Sequence, residues 1–124
     1  MFNKKRELGN IGEDVAANFL LKNGYEILFR NYLKPWGELD IISKSLDGTL
    51  VFVEVKTVQG LPANFVLQAE DNLTSAKLKK LQRTASLFAG SNEKLVNKER
   101  GWRIDLVAVT IFGNDYDIKH YENI

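Results

Sequence analysis

The chain contains no cysteine. A disulfide framework and every cysteine-based zinc site are therefore excluded, and redox compartment is left without a marker. Histidine occurs once, as His120 beside Tyr121 near the terminus, a poor basis for a histidine metal centre or a catalytic triad. There is no HExxH pair, no glycine-rich phosphate loop and no serine in a nucleophile-elbow setting. No apolar run approaches the ~20 residues that a membrane-spanning helix needs. The opening stretch MFNKKREL has a basic cluster but neither an apolar run nor a small-residue cleavage site behind it. No secretory leader is expected from it, and the expected location is the cytoplasm.

A net charge is nearly absent too. Seventeen basic residues stand against 16 acidic ones, for a formal charge of +1, and that balance alone does not suggest nucleic acid. The distribution is more informative. Between Thr74 and Arg103 lie eight basic residues and two acids. A basic region inside a neutral protein suits a docking surface for phosphate, and it suits a solvated helix face equally well. With 124 residues, 44% hydrophobic and 27% charged, the chain has the composition of one globular domain, expected to span 1–124.

Periodicity places the elements. Leu8, Ile11, Val15 and Phe19, with Ala16 beside them, predict a helix over 8–23, stopped at Asn23-Gly24. Gly9 and Gly12 weaken its first turns and suit a close approach by another backbone. Tyr25–Leu33 reads as a strand, KPWG as a turn, and Leu39–Ser43 as a second strand. Asp47-Gly48 is a hairpin signal, followed by a strand over Leu50–Lys56. Gln59 to Asn72 reads as a surface loop. Thr74 or Ser75 caps a second helix with Leu78, Leu81, Ala85 and Phe88 as its buried stripe and Gly90 at its end. WRIDLVAVTIF is a strand, Asn114-Asp115 a turn, and YDIKHYENI an edge strand. The simplest layer solution is α/β, one mixed sheet with helices packed against it.

Two stretches carry acids among strand residues: Gly37-Glu38-Leu39-Asp40-Ile41-Ile42 and Phe52-Val53-Glu54-Val55-Lys56. Alternation puts Glu38 and Asp40 on one face with Leu39 and Ile41 opposite, and it puts Glu54 and Lys56 together. A tight Asp47-Gly48 hairpin sets Asp40 opposite Val55, within one residue of Glu54. Neighbouring carboxylates repel, and burying one unpaired is costly. A Mg²⁺ ion, which takes hard oxygen ligands, relieves both problems, with Asp40, Glu54 and the Val55 carbonyl as ligands. Lys56 beside it suits orienting a water and stabilising charge on a phosphate, which together point to phosphodiester hydrolysis. Glu38 suits a supporting acceptor. Structural ion pairs and solvated strand ends are the competing readings. Glu13 lies off the apolar stripe and reads first as a solvated helix residue, with reach to the sheet edge as the second reading. Asp105 reads as a partner of Arg103 or of Arg30. Lys77, Lys80 and Thr84 share a helix face, with Lys79 and Arg83 pointing more outward, an array for backbone phosphates that offers no means of reading bases.

The stretches GNIGEDVAANFLLKNGYEILFRNYL, GELDII, LVFVEVKT, SAKLKKLQRTA and WRIDLVAV together resemble the YraN-like family of small bacterial proteins. That family is similar to archaeal Holliday-junction resolvases within the restriction-endonuclease-like superfamily. The resemblance covers most of the chain and implies a three-layer α/β/α core around a mixed sheet. It also implies an acid–acid–lysine motif at Asp40, Glu54 and Lys56, a helix glutamate at Glu13 and a further glutamate at Glu38. Leu39 stands where the superfamily often has proline. The implied function is a Mg²⁺-dependent endonuclease, with Mn²⁺ as a substitute metal, acting on DNA, in particular branched DNA. Lys77, Lys80 and Arg83 are the expected phosphate contacts. A homodimer with one active site per strand suits such a substrate. The alternative is a nucleic-acid-binding or scaffold protein that keeps the fold without turnover.

Overall fold

A computed structural model describes residues 4–60 and 73–124. The order is α1 (Lys4–Lys22), β1 (Glu26–Lys34), β2 (Gly37–Lys44), β3 (Leu50–Gln59), α2 (Ser75–Ser91), β4 (Trp102–Phe112) and β5 (Asp115–Tyr121), with one 3-10 turn at Glu93–Leu95 after α2. The five strands lie side by side in chain order. All neighbours are antiparallel except β3 and β4, which run parallel. A parallel pair needs a crossover, and α2 supplies it. Most of the loop expected over Gln59 to Asn72 falls at 61–72, outside the described residues.

Each helix covers one face of the sheet. Ala16, Ala17 and Leu20 of α1 pack on Ile41, Val51, Val53, Val107 and Val109. Ala85, Phe88 and Ala89 of α2 pack on Leu39, Ile42, Leu50, Phe52 and Ile104. The result is the expected three-layer α/β/α restriction-endonuclease-like core. Strand β3 is buried on both faces over Leu50–Val53, which is why that run has no polar side. Phe88 anchors the second layer, meeting the Phe29, Tyr32 and Phe52 rings edge-on at 5.9, 5.2 and 5.7 Å. No described helix is long and apolar enough to cross a membrane.

The punctuation follows the local chemistry. Gly24 and Gly48 take φ of +84° and +91° at the expected helix stop and hairpin. Thr74 caps α2, its Oγ1 accepting the Lys77 N–H at 3.2 Å. The last hairpin turns at Gly113, φ +60°, one residue before the expected Asn114-Asp115.

The buried face of α1 differs from the expected stripe. Ile11 is 48% exposed, and Leu8, Val15 and Phe19 are only half-buried. The helix instead turns Gly12, Glu13, Ala16, Ala17 and Leu20 inward. Small side chains let its axis approach the sheet, and the larger ones flank the contact. Gly12 marks the closest point: a Cβ there would lie 1.8 Å from Thr57 Oγ1. Gly9 has open space instead. Gly37, at the start of β2, holds the same relation to α2, since a Cβ there would lie 2.2 Å from Thr84 Oγ1.

Candidate active site

The site forms where β2 and β3 part. Their ladder runs from Lys44↔Leu50 to Ile41↔Val53 and ends there. Continued by one step, it sets Asp40 opposite Glu54, one residue from the expected Asp40–Val55 pairing. Beyond the last rung the Val55 N–H has lost its backbone acceptor on β2, and Asp40 Oδ2 accepts it at 2.8 Å. The carboxylate of Asp40 thus takes the place of a rung.

Strict alternation in β2 fails at this position. Leu39 and Ile42 belong to the α2-side core, while Ile41 belongs to the α1-side core, so Leu39 and Ile41 do not share a face as expected. The partner strand shows the cause. Pairing of β1 with β2 keeps one register across the step, Tyr32↔Leu39 and Arg30↔Ile41. The residue between on β1, Asn31, has φ +54°. Both strands switch face together there, and asparagine tolerates the left-handed backbone this needs.

Asp40 and Glu54 are half-buried and hydrogen-bonded to each other through their carboxyl groups. Burial pushes both upward, and the negative charges of Asp40 and Glu38 push Glu54 further, to about 8. The Val55 N–H and the bond from Glu54 work the other way on Asp40. Two carboxyls this close repel when both are ionised, which favours a proton held between them. The charge of Lys56 favours the ionised form of Glu54.

Glu13 approaches from α1. It is buried, 9% exposed, and its Oε1 has no hydrogen-bond partner, with Arg30 Nη2 3.6 Å away. Burial raises its carboxyl first and the charge of Asp40 second, against the lowering effect of Arg30. The solvated-helix reading of Glu13 fails because α1 turns this side inward. Asp14, the next residue, takes the stronger Arg30 contact, 2.7 Å. Among the described residues no three histidine, cysteine or acidic side chains converge into one metal-ligating cluster.

On the α2 side a cleft of about 400 Å³ opens onto Glu54 of this pair. Lys77, Lys80, Leu81 and Thr84 of α2 form one wall, Leu33 to Pro35 and Gly37 of the β1–β2 hairpin the other, and Glu38 and Glu54 also line it. The expected phosphate-binding lysines thus open onto the same space as one motif acid. Arg83 is exposed on α2 and does not line the cleft.

Asp105 takes a structural position on β4, in register with Val53. It is fully buried and accepts from Arg103 Nε at 2.9 Å, from the Asn123 N–H at 2.9 Å and from His120 Nε2 at 2.7 Å. Arg103 also reaches the Tyr25 hydroxyl at 3.0 Å. Of the two arginines expected as partners, Arg103 is the one found. His120 as a further partner was missed. Its register opposite Val107, two residues from Asp105, depends on the β4–β5 pairing, and the residues near His120 give no sign of it.

Comparison with known sequences finds one family across most of the chain. The profile of the uncharacterised protein family UPF0102 matches residues 12–109, a span from Gly12 beside the site glutamate to Val109 in β4. A UPF0102 protein of Roseiflexus castenholzii is 38% identical over 111 residues, covering 90% of this chain and 85% of its own. One from Caldicellulosiruptor saccharolyticus is 44% identical over 105 residues, covering 85% and 83%. One from Corynebacterium efficiens is 35% identical over 126 residues, covering 100% and 96%.

Proposed function

The chain belongs to the UPF0102 family, and from its fold and its acid pair we propose that it is a metal-dependent endonuclease hydrolysing DNA phosphodiester bonds, with branched or junction DNA as substrate. The observation that carries this reading is the contact between Asp40 and Glu54 at the split between β2 and β3, beside the orphaned Glu13 Oε1. Two carboxyls held in contact beside the Val55 backbone supply oxygen donors of the kind a hard divalent cation takes. Asp40, Glu54 and the Val55 carbonyl would hold Mg²⁺, or Mn²⁺ in its place. Bound there, such an ion would supply Lewis-acid activation to the phosphate and to the attacking water.

The chain's own residues supply the rest. Lys56 stabilises charge on the scissile phosphate and orients the attacking water. Glu13 accepts a hydrogen bond or proton at its open Oε1, and Glu38 adds negative charge that favours a bound cation. Lys77, Lys80 and Arg83 hold backbone phosphates, which fixes position without reading sequence. A junction has two strands to cut, and a homodimer would present one site to each.

One observation favours the alternative, a nucleic-acid-binding or scaffold protein without turnover. Asp40 and Glu54 already satisfy each other through their shared proton and the Val55 N–H, so the pair can persist as a purely structural contact. Incubating labelled four-way junction, flap, duplex and single-stranded DNA with wild type and Asp40→Ala, with Mg²⁺ and with Mn²⁺, separates the two. Metal-dependent cuts that vanish in the variant support the nuclease. Binding without cuts on every substrate supports the alternative.

A further inference from the structure

The sheet has two edges, β1 and β5, and they are built differently. Strand β1 is irregular: its register shifts between Ile27 and Phe29, and Asn31 has φ +54°. Such breaks keep an edge from pairing with another chain. Strand β5 has none. It follows β4 without a shift from Phe112↔Asp115 to Leu106↔Tyr121, and it contains no proline. Among the described residues no strand pairs with its outer side.

The face beside that edge is apolar. Glu13 turns from α1 toward Arg30 on β1, so the residues on the other flank of the inward-facing Gly12 turn toward β4 and β5. These are Leu8, Ile11 and Val15, the part of the expected stripe that the core leaves incompletely buried. Phe19 continues the flank and meets the His120 ring of β5 edge-on at 5.8 Å. Val15 and Ile118 pack on the same buried cluster. Gly12 lies against Thr57, Thr57 is in register with Val109, and Val109 with Ile118, which sets Ile11 level with the middle of β5. Ile11 and Tyr116 stay 48% and 49% exposed.

The order of charges on β5 says what covers this surface. Tyr116, Ile118 and His120 share the α1 face, and Asp115, Asp117 and Lys119 share the other. We infer that β5 pairs antiparallel with β5 of a second copy of the chain, about a two-fold axis through Ile118. In that register Asp117 of each copy faces Lys119 of the other, and Tyr116 faces His120. An axis at Asp117 or Lys119 sets a charge against its own copy, and one at Tyr116 sets Asp115 against Asp117. The charges that deter a foreign strand thus admit this one in a single register. The result is one continuous sheet through both copies. Both α1 flanks stand on the same side of it, bringing Ile11 and Tyr116 of the two copies over the joined strands, and both α2-side clefts open on the opposite face. The assembly requires no chemistry at the acid pair.

Sedimentation equilibrium of the full chain measures the dimer dissociation constant. Lys119→Asp and Asp117→Lys, each shown to be folded by circular dichroism, are expected to weaken association by about tenfold or more, because each replaces two opposite-charge pairs by two like-charge ones. Combined in one chain, the two exchanges recreate opposite pairs, and affinity is expected to return close to that of wild type. The chain has no cysteine, so Ile118→Cys carries a single thiol. Opposed residues of antiparallel strands lie ~4.5–5.5 Å apart between Cα atoms, within disulfide reach. Mild oxidation is expected to cross-link Ile118→Cys as a dimer on a non-reducing gel and to leave Leu33→Cys, on the β1 edge, uncross-linked. A wild type that stays monomeric at every concentration, or a dimer indifferent to both single exchanges, would overturn the inference. So would a double exchange that associates as weakly as the single ones, or Leu33→Cys cross-linking as readily as Ile118→Cys.

Discussion

Asp40 Oδ2 accepts the backbone N–H of Val55 at 2.8 Å, one step past the last rung between β2 and β3. The acid therefore finishes the sheet and begins the site with the same atom. That double duty holds it in place, and it holds the Val55 peptide in place with it. Glu54 is brought against Asp40 because the register carries it there, and burial first and the Asp40 charge second raise its carboxyl.

The first prediction concerns protons. Glu54 holds its proton up to about 8, and a divalent cation has to displace it. Titration calorimetry with Mn²⁺ at pH 7, in buffers of different ionisation enthalpy, should show release of about one proton. Release should diminish above pH 8, and apparent affinity should rise over the same range. Glu54→Gln should bind weakly and release none. Proton-neutral binding at pH 7 would remove Glu54 from the ligand set.

The second concerns Asp105. Its three donors hold its carboxyl below the ordinary 3.8 against the opposing effect of burial. A lowered folded value means that the stabilisation is complete above the unfolded pKa and is lost as pH falls through the folded one. Asp105→Asn should cost roughly 3 kcal/mol at pH 7, because it leaves buried donors of Arg103 and His120 facing an amide. Urea melts should show the gap between variant and wild type closing as pH drops below about 4. A constant gap from pH 7 to pH 3 would deny the ionised form its role.

How much of this was legible in the sequence differs from element to element. The strands were plain because Leu50–Val53 and Trp102–Phe112 are long β-branched and aromatic runs, and Thr74, Gly24 and Gly48 punctuate by their own chemistry. The acid pair was legible as well, to within one residue of register. What was hidden is what depends on packing. Glu13 looked solvated because the apolar residues Ile11 and Val15 suggested one face for α1, while Gly12, Ala16 and Ala17, which carry almost no hydrophobic signal, define the actual contact. The face switch at Leu39 was hidden because it rests on Asn31 of the neighbouring strand.

The third prediction tests that contact. Gly12→Ala puts a methyl group into Thr57 and should destabilise by about 1–3 kcal/mol through overpacking, while displacing Glu13 beside it. Gly12→Ala combined with Thr57→Ala should recover part of the loss in thermal melts. Full tolerance of the single substitution would contradict the close approach of α1 to β3.

The fourth concerns the α2-side core. Phe88 touches three aromatic rings from β1 and β3, and Phe88→Ala should cost about 3–5 kcal/mol. Because α2 also carries Lys77 and Lys80, loss of packing should weaken DNA binding at temperatures near the variant's melting point and leave it nearly normal well below. DNA affinity halved or worse in fully folded Phe88→Ala would mean that α2 is positioned by something else.

The central claim is that Asp40 acts in chemistry and is more than a rung of the sheet. The most direct measurement is the single-turnover rate of cutting a labelled four-way junction in Mg²⁺ by wild type and by Asp40→Asn, both shown to be folded by circular dichroism. The amide can fill the same space and still accept from Val55, so the sheet should survive. The rate should fall by about 10²–10³-fold, the loss of several kcal/mol of transition-state stabilisation. Equal cleavage by the two proteins, or no metal-dependent cleavage by wild type on any branched or unpaired DNA, would contradict the account.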